Sequence, residues 1–131
     1  MPHLHIEYSG GLDDVIEMRV LCDCLHKDMV ASASFPTAGI RVRAFRADHA
    51  IVADGLAQNQ FVAMTLTVGA GRTTEVLRVE GDILFATAQS VLAARLSEPH
   101  FALSLEIKQS DPELSWKDTP IHARLSGVSR G

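Results

Sequence analysis

A strand, a glycine-bearing loop, a long helix and a second strand follow one another in the first half of the chain, and the same order recurs in the second half. No other feature narrows the fold as much. Residues 2–8 alternate, with apolar Leu4, Ile6 and Tyr8 set between polar His3, His5 and Glu7, which is the period-two signature of a strand covered on one face. Ser9-Gly10-Gly11 forms a loop, a helix is expected from about Leu12 to Ser32, and residues 34–39 turn the chain into a second strand. That strand, Ile40 to Phe45, places Ile40, Val42 and Ala44 on one face and Arg41, Arg43 and Phe45 on the other. Residues 46–60 connect to the repeat: a strand from Phe61 to Val68, the loop Gly69-Ala70-Gly71-Arg72, and a long helix capped by Thr73 or Thr74. The helix carries Val76, Leu77, Ile83, Leu84, Ala88, Val91, Leu92 and Leu96 at helical spacing, and Phe101 to Ile107 closes the unit as a strand before a tail over residues 108–131.

Two strand-helix-strand halves, about 2–60 and 61–125, make a single α/β domain over residues 1–131. The expected architecture is a duplicated βαβ, a four-stranded mixed sheet with two helices on one face and right-handed crossovers. The opposite face then carries His3, His5, Glu7, Arg41, Arg43, Thr65, Thr67, Ser104 and Glu106. Sheets with parallel pairs are usually covered on both sides, so this polar face is expected to meet further copies of the chain or to line a cavity. The alternative is an open-faced sandwich with that side in water.

A net charge of −4 and a pI near 5.8, with no stripe of Lys and Arg, argue against nucleic acid or an anionic membrane as partner. No apolar run approaches a membrane span and the start lacks a signal-peptide pattern, so the expected location is cytoplasmic. Cys22 and Cys24 stand two apart in a helix, project in different directions, and are read as small helix residues rather than as a disulfide or a chelating pair. His3 and His5 share a strand face but lack a third ligand, so no metal is expected. Gly69-Ala70-Gly71 lacks both the third glycine of a dinucleotide fingerprint and the Gly-Lys-Ser/Thr of a P-loop, so no nucleotide or other cofactor is expected.

Position 2 is the chemically suggestive one. Met followed by the small Pro2 suits removal of the initiator methionine, which leaves Pro2 with a free secondary amine at the head of a strand. An amine held on a rigid element can exchange a proton, whereas the common run of termini fray and do nothing.

The proline start, the segment Phe35-Pro36-Thr37-Ala38-Gly39-Ile40-Arg41-Val42-Arg43, the triplet Met64-Thr65-Leu66, the loop Gly69-Ala70-Gly71-Arg72, the strand Ala102 to Ile107 and Ile121-His122-Ala123, in this order and spacing, resemble the 5-carboxymethyl-2-hydroxymuconate isomerase family of the tautomerase superfamily. The resemblance covers nearly the whole chain and implies a homotrimer with sheets inward and helices outside. It implies an isomerase of aromatic-compound catabolism, of the kind that degrades homoprotocatechuate, acting on a small anionic di- or tricarboxylate. Carried over position by position, Pro2 is the proton-transferring base and acid, and Arg41 and Arg72 are the cationic partners of the substrate. Departures fall in the first helix, with Cys22, Cys24 and His26, and in the polar tail after Leu125.

These residue types suit such chemistry. Moving a proton between carbons of an unsaturated 2-keto acid needs a base with a pKa near the working pH, and an α-amine starts at about 7.7–8.0. Burial beside Leu4 and Ile6 and nearby guanidinium groups lower it further. A guanidinium binds a carboxylate in two-pronged fashion and stabilises charge on an enolate oxygen. Without the resemblance, Arg72 reads rather as a loop arginine paired to a local carboxylate, and Arg41 equally as a cross-strand partner of Glu7 or Glu106. Two other functions stay open: a hydratase or decarboxylase on the same fold, and a non-catalytic trimeric module that binds small anions.

Overall fold

The computed structural model describes residues 1–12 and 15–126 of the chain; positions 13 and 14 of the expected first helix and the last five residues of the tail lie outside the described residues. Strand β1 (His3–Ser9) leads through a 3-10 turn at Gly10–Leu12 to helix α1 (Val15–Ala31), and a second 3-10 turn at Thr37–Gly39 precedes β2 (Arg41–Ala47). The second unit is β3 (Gln60–Gly69), α2 (Thr74–Val91), a short α3 (Ala93–Leu96) and β4 (Phe101–Ser110). The four strands lie in the order β2-β1-β3-β4. β1 and β2 are parallel, β3 and β4 are parallel, and the two units join antiparallel through β1 and β3. The sheet is therefore mixed and the repeat is real.

Alternation along the strands decides which side is dry. Leu4 and Ile6 of β1 and Val62, Leu66 and Val68 of β3 are fully enclosed, with Met64 nearly so, beneath Met18, Leu21, Leu25 and Met29 of α1. From α2 the enclosed positions are Leu77, Glu80, Leu84 and Ala88. Their spacing of three and four residues defines one helix stripe. Val76 and Ile83, expected on the buried face from their apolar character, point about 100° away from that stripe and are exposed, as is Leu96. Glu80 occupies a core-facing position because Ser32 Oγ donates to its carboxylate at 2.7 Å, and Thr87 Oγ1 donates to Asp28 to join the same two helices lower down.

Thr73, one of the two expected caps, accepts from the Val76 N–H at 3.2 Å. The long second helix does not run unbroken to Leu96. It ends at Val91, and the separate turn of α3 brings Arg95 against Glu17 of α1 with contacts of 3.0 and 3.2 Å. As far as residue 126 the tail is folded: a 3-10 turn at Pro112–Leu114, an extended stretch, and a helix α4 (Pro120–Leu125) that packs against the turn at Thr37–Gly39. Among the described residues no helix is long and apolar enough to cross a membrane.

Truncating Leu84 to Ala should cost about 2–5 kcal/mol in urea unfolding, because the space it leaves cannot collapse between two helices and a sheet. Ile83→Ala, one residue along and outside the stripe, should cost less than about 1 kcal/mol. Similar losses for both variants would contradict the burial pattern.

Candidate active site

The start of β1, the start of β2 and the end of β3 meet at one end of the sheet because the register pairs His3 with both Arg41 and Thr67. Residue 2 continues this pairing outside the strand proper: the Arg41 N–H donates to Pro2 O at 3.1 Å. Pro2 is buried, and the backbone of Gly39 lies directly against it. A Cβ added at Gly39 would come within 3.2 Å of Pro2 Cδ and of Met1 Cα, so this position needs glycine for the close approach. Met1 is bracketed on its other side by Gly69, from the loop that opens the second helix.

A cavity of about 370 Å³ opens here, lined by Met1, His3, Arg41, Thr67 and Ser110 from the sheet end and by Ser115 to Thr119 from the tail. Arg41 is fixed by its own turn: its Nη1 donates to Ala38 O at 2.9 Å and to Ile40 O at 3.1 Å. Neither expected carboxylate partner holds it. Glu7 lies at the far end of β1, opposite Phe45, and Glu106 is 3.8 Å from Lys108 on its own strand.

Arg72 stands differently. Its Nε and Nη2 donate to Ser34 O at 3.0 and 2.7 Å, its Nη1 donates to Gly69 O at 3.4 Å, and its guanidinium lies 5.5 Å from the centre of the Phe35 ring. It thus ties the loop of the second unit to the turn after α1 and does not line the cavity. Its partners are carbonyls rather than a carboxylate, so its charge is not cancelled locally.

That charge reaches the terminal amine. Burial, then Lys117, then Arg72 hold the Met1 amine below the ordinary α-amine range, since each disfavours the ammonium form. Arg41 acts instead on His3, whose imidazole is pushed down by burial, then by Arg43 and Arg41. His3 is therefore neutral around pH 7. Its Nε2 is buried with no hydrogen-bond partner among the described residues, leaving a polar atom unsatisfied at the cavity.

Lys117 is the charged residue that sequence reasoning missed, because nothing in the spacing of the tail says where it folds. His5, grouped with His3 by parity, lies on the same sheet face but stacks on Phe45 with ring centres 4.7 Å apart and does not line the cavity. Cys22 and Cys24 are free thiols on α1, and burial raises the Cys22 pKa. No group of three or more His, Cys, Asp or Glu able to hold a metal occurs among the described residues. A larger cavity of about 540 Å³ lies at the opposite end of the sheet, but its arginine, Arg95, is neutralised by Glu17.

The sequence profile of the 5-carboxymethyl-2-hydroxymuconate isomerase family matches residues 2–125. The chain belongs to that family, within the tautomerase superfamily. The 5-carboxymethyl-2-hydroxymuconate Delta-isomerase of Escherichia coli is 34% identical over 123 residues, which cover 94% of this chain and 98% of that one. A 5-carboxymethyl-2-hydroxymuconate isomerase from Deinococcus radiodurans R1 superposes with a TM-score of 0.88 at 36% identity, covering 95% of this chain and 93% of that one. A fused 4-OT protein solved as a symmetric trimer shares the fold at a TM-score of 0.64 and 18% identity, over 92% of this chain and 98% of its own. As a member of the family the protein is an enzyme of the isomerase class.

Arg72→Met should lower stability by about 1–3 kcal/mol in chemical denaturation, since the Ser34 and Gly69 carbonyls lose a charge-assisted donor. An unchanged unfolding midpoint would mean that the arginine does not tie the two units together.

Proposed function

We propose that the protein is a cofactor-independent keto-enol tautomerase that moves a C=C bond in 5-carboxymethyl-2-hydroxymuconate or a similar unsaturated 2-hydroxy or 2-keto diacid. The observation that carries this reading is the cavity at the head of β1, which brings the chain terminus, Arg41 and a neutral His3 to one place. Removal of Met1 turns the Pro2 amide nitrogen into a secondary amine at the spot where the terminal residue now sits. The new amine then lies one residue from the Met1 amine, beside Gly39 and in the field of the same Lys117 and Arg72 charges, which disfavour its ammonium form.

The steps follow from these charges. Neutral Pro2 takes the proton of the 2-hydroxy dienol, and the negative charge spreads over the dienolate. The resulting ammonium returns a proton at a carbon further along, leaving a ketone and a moved double bond. Arg41 pairs with a substrate carboxylate near the developing charge. Arg72, the second cationic partner, acts through its fixed charge: it favours the neutral amine before proton transfer and the anionic dienolate after it.

The same reading makes the enzyme a cytoplasmic homotrimer of aromatic-compound catabolism. Support for assembly comes from the sheet face opposite the helices, where Phe45, Arg43, Ser104 and Glu106 are exposed across strands that a lone chain leaves uncovered.

Ketonisation of a 2-hydroxymuconate dienol, followed by ultraviolet absorbance, should fall about 10²- to 10⁴-fold in kcat/KM in Pro2→Ala. Equal rates for the two proteins would remove Pro2 from the chemistry. The pH profile supplies a second check. Because the charged form is disfavoured, the amine stays neutral to lower pH than an ordinary terminus. Activity should therefore be full above its pKa and fall on the acidic side with a midpoint below about 8. A midpoint at or above the ordinary value would contradict the burial of the base.

A further inference from the structure

We infer that Lys117, carried on the tail strap between the Pro112–Leu114 turn and α4, is the residue that makes the site select a dicarboxylate, taking the carboxylate farther from Arg41. The inference rests on the proposed reading in one respect, that the ligand carries at least two carboxylates.

The geometry starts from the strap's two ends. Asp111 Oδ1 accepts from the Glu113 N–H at 2.9 Å and closes the turn that leaves β4, while α4 packs on the Thr37–Gly39 turn that delivers Arg41. Held at both ends, residues 115–119 line the cavity together with the sheet end that carries Arg41. Two cations of different origin then face one space: Arg41 from the sheet and Lys117 from the strap. Arg41 is anchored by Ala38 and Ile40 carbonyls, whereas Lys117 has no ion pair among the described residues and is exposed. Asp118 is the carboxylate that also lines the cavity, and it leaves the pair of cations in excess.

A single carboxylate needs one such cation. Two cations lining about 370 Å³ of one partly enclosed space match a ligand with more than one anionic group. The Lys117 ammonium also contributes to the lowered pKa of both the terminal amine and His3, which places its charge within reach of both walls. Arg72 does not supply this second contact, because its donors are turned to Ser34 and Gly69.

The test compares two unreactive dienes of equal length: trans,trans-muconate, with a carboxylate at each end, and sorbate, with one. Calorimetry on the full-length protein, its amino terminus first read by intact mass, should show muconate bound more tightly than sorbate. Lys117→Met should weaken muconate about ten- to a hundredfold while changing sorbate less than about twofold. Lys117→Arg should restore most of the preference, and the unfolding midpoint shows whether either variant has lost the fold. In turnover of the dienol, Lys117→Met should raise KM more than it lowers kcat. Equal weakening of both ligands, or an unchanged preference, overturns the inference. If the muconate preference and its loss in Lys117→Met are seen but the wild type turns over no dienol, the tautomerase reading fails and the role of Lys117 stands.

Discussion

One backbone hydrogen bond organises the functional end of this protein: Arg41 N–H to Pro2 O, 3.1 Å long. It extends the parallel pairing of β1 and β2 by one step beyond the strand, so the terminal residues are held as part of the sheet. Without it, a proline at position 2 would be one more frayed end. With it, the proline and the guanidinium of residue 41 have a fixed relation, because the turn that supplies the N–H also supplies the two carbonyls that hold the Arg41 side chain. Gly39 permits the approach, since any side chain there would press on the Pro2 ring.

The electrostatics of the site follow from what each cation is attached to. Arg41 and Arg72 both donate to backbone carbonyls, which orient a guanidinium without neutralising it. The positive potential of Arg72 therefore reaches the terminal amine, and that of Arg41 reaches His3 and stays available to an anionic ligand. A carboxylate partner on Arg72 would have cancelled that potential and removed its share of the lowering, leaving burial and Lys117 to act on the amine. The cavity at the other end of the sheet shows the contrast: there Arg95 is spent on Glu17 and serves to fasten α3 onto α1.

Much of the architecture was legible because it rests on periodicity. The alternation of Leu4 and Ile6 with His3 and His5, and of Val62, Met64, Leu66 and Val68 with Ala63, Thr65 and Thr67, states which face is dry before any contact is known. The second helix shows the limit of the method. Val76 and Ile83 are as apolar as Leu77 and Leu84, yet only the helix's rotation against the sheet selects the second pair, and Glu80 joins them because Ser32 is within reach. Pairing partners were equally out of reach. Arg41 reads from its strand face as a partner of Glu7 or Glu106, but the parallel register sets it beside His3, with Glu7 further along β1 opposite Phe45.

What the sequence by itself determined is the part that depends on neighbours along the chain: the two strand-helix-strand units, their polar and apolar faces, the Thr73 cap, and the family, through Pro2, Arg41 and Arg72 at their spacing. What only the tertiary structure decided is which distant pieces share a space. Arg72 clamps the turn after α1 instead of lining the cavity, and Lys117 comes back from the tail to the head of β1. Local preference is a property of a few consecutive residues. A charge acting on the amine at the chain's start from 116 positions away (117 less 1) is set by the closure of the whole chain, and no pattern within the tail encodes it.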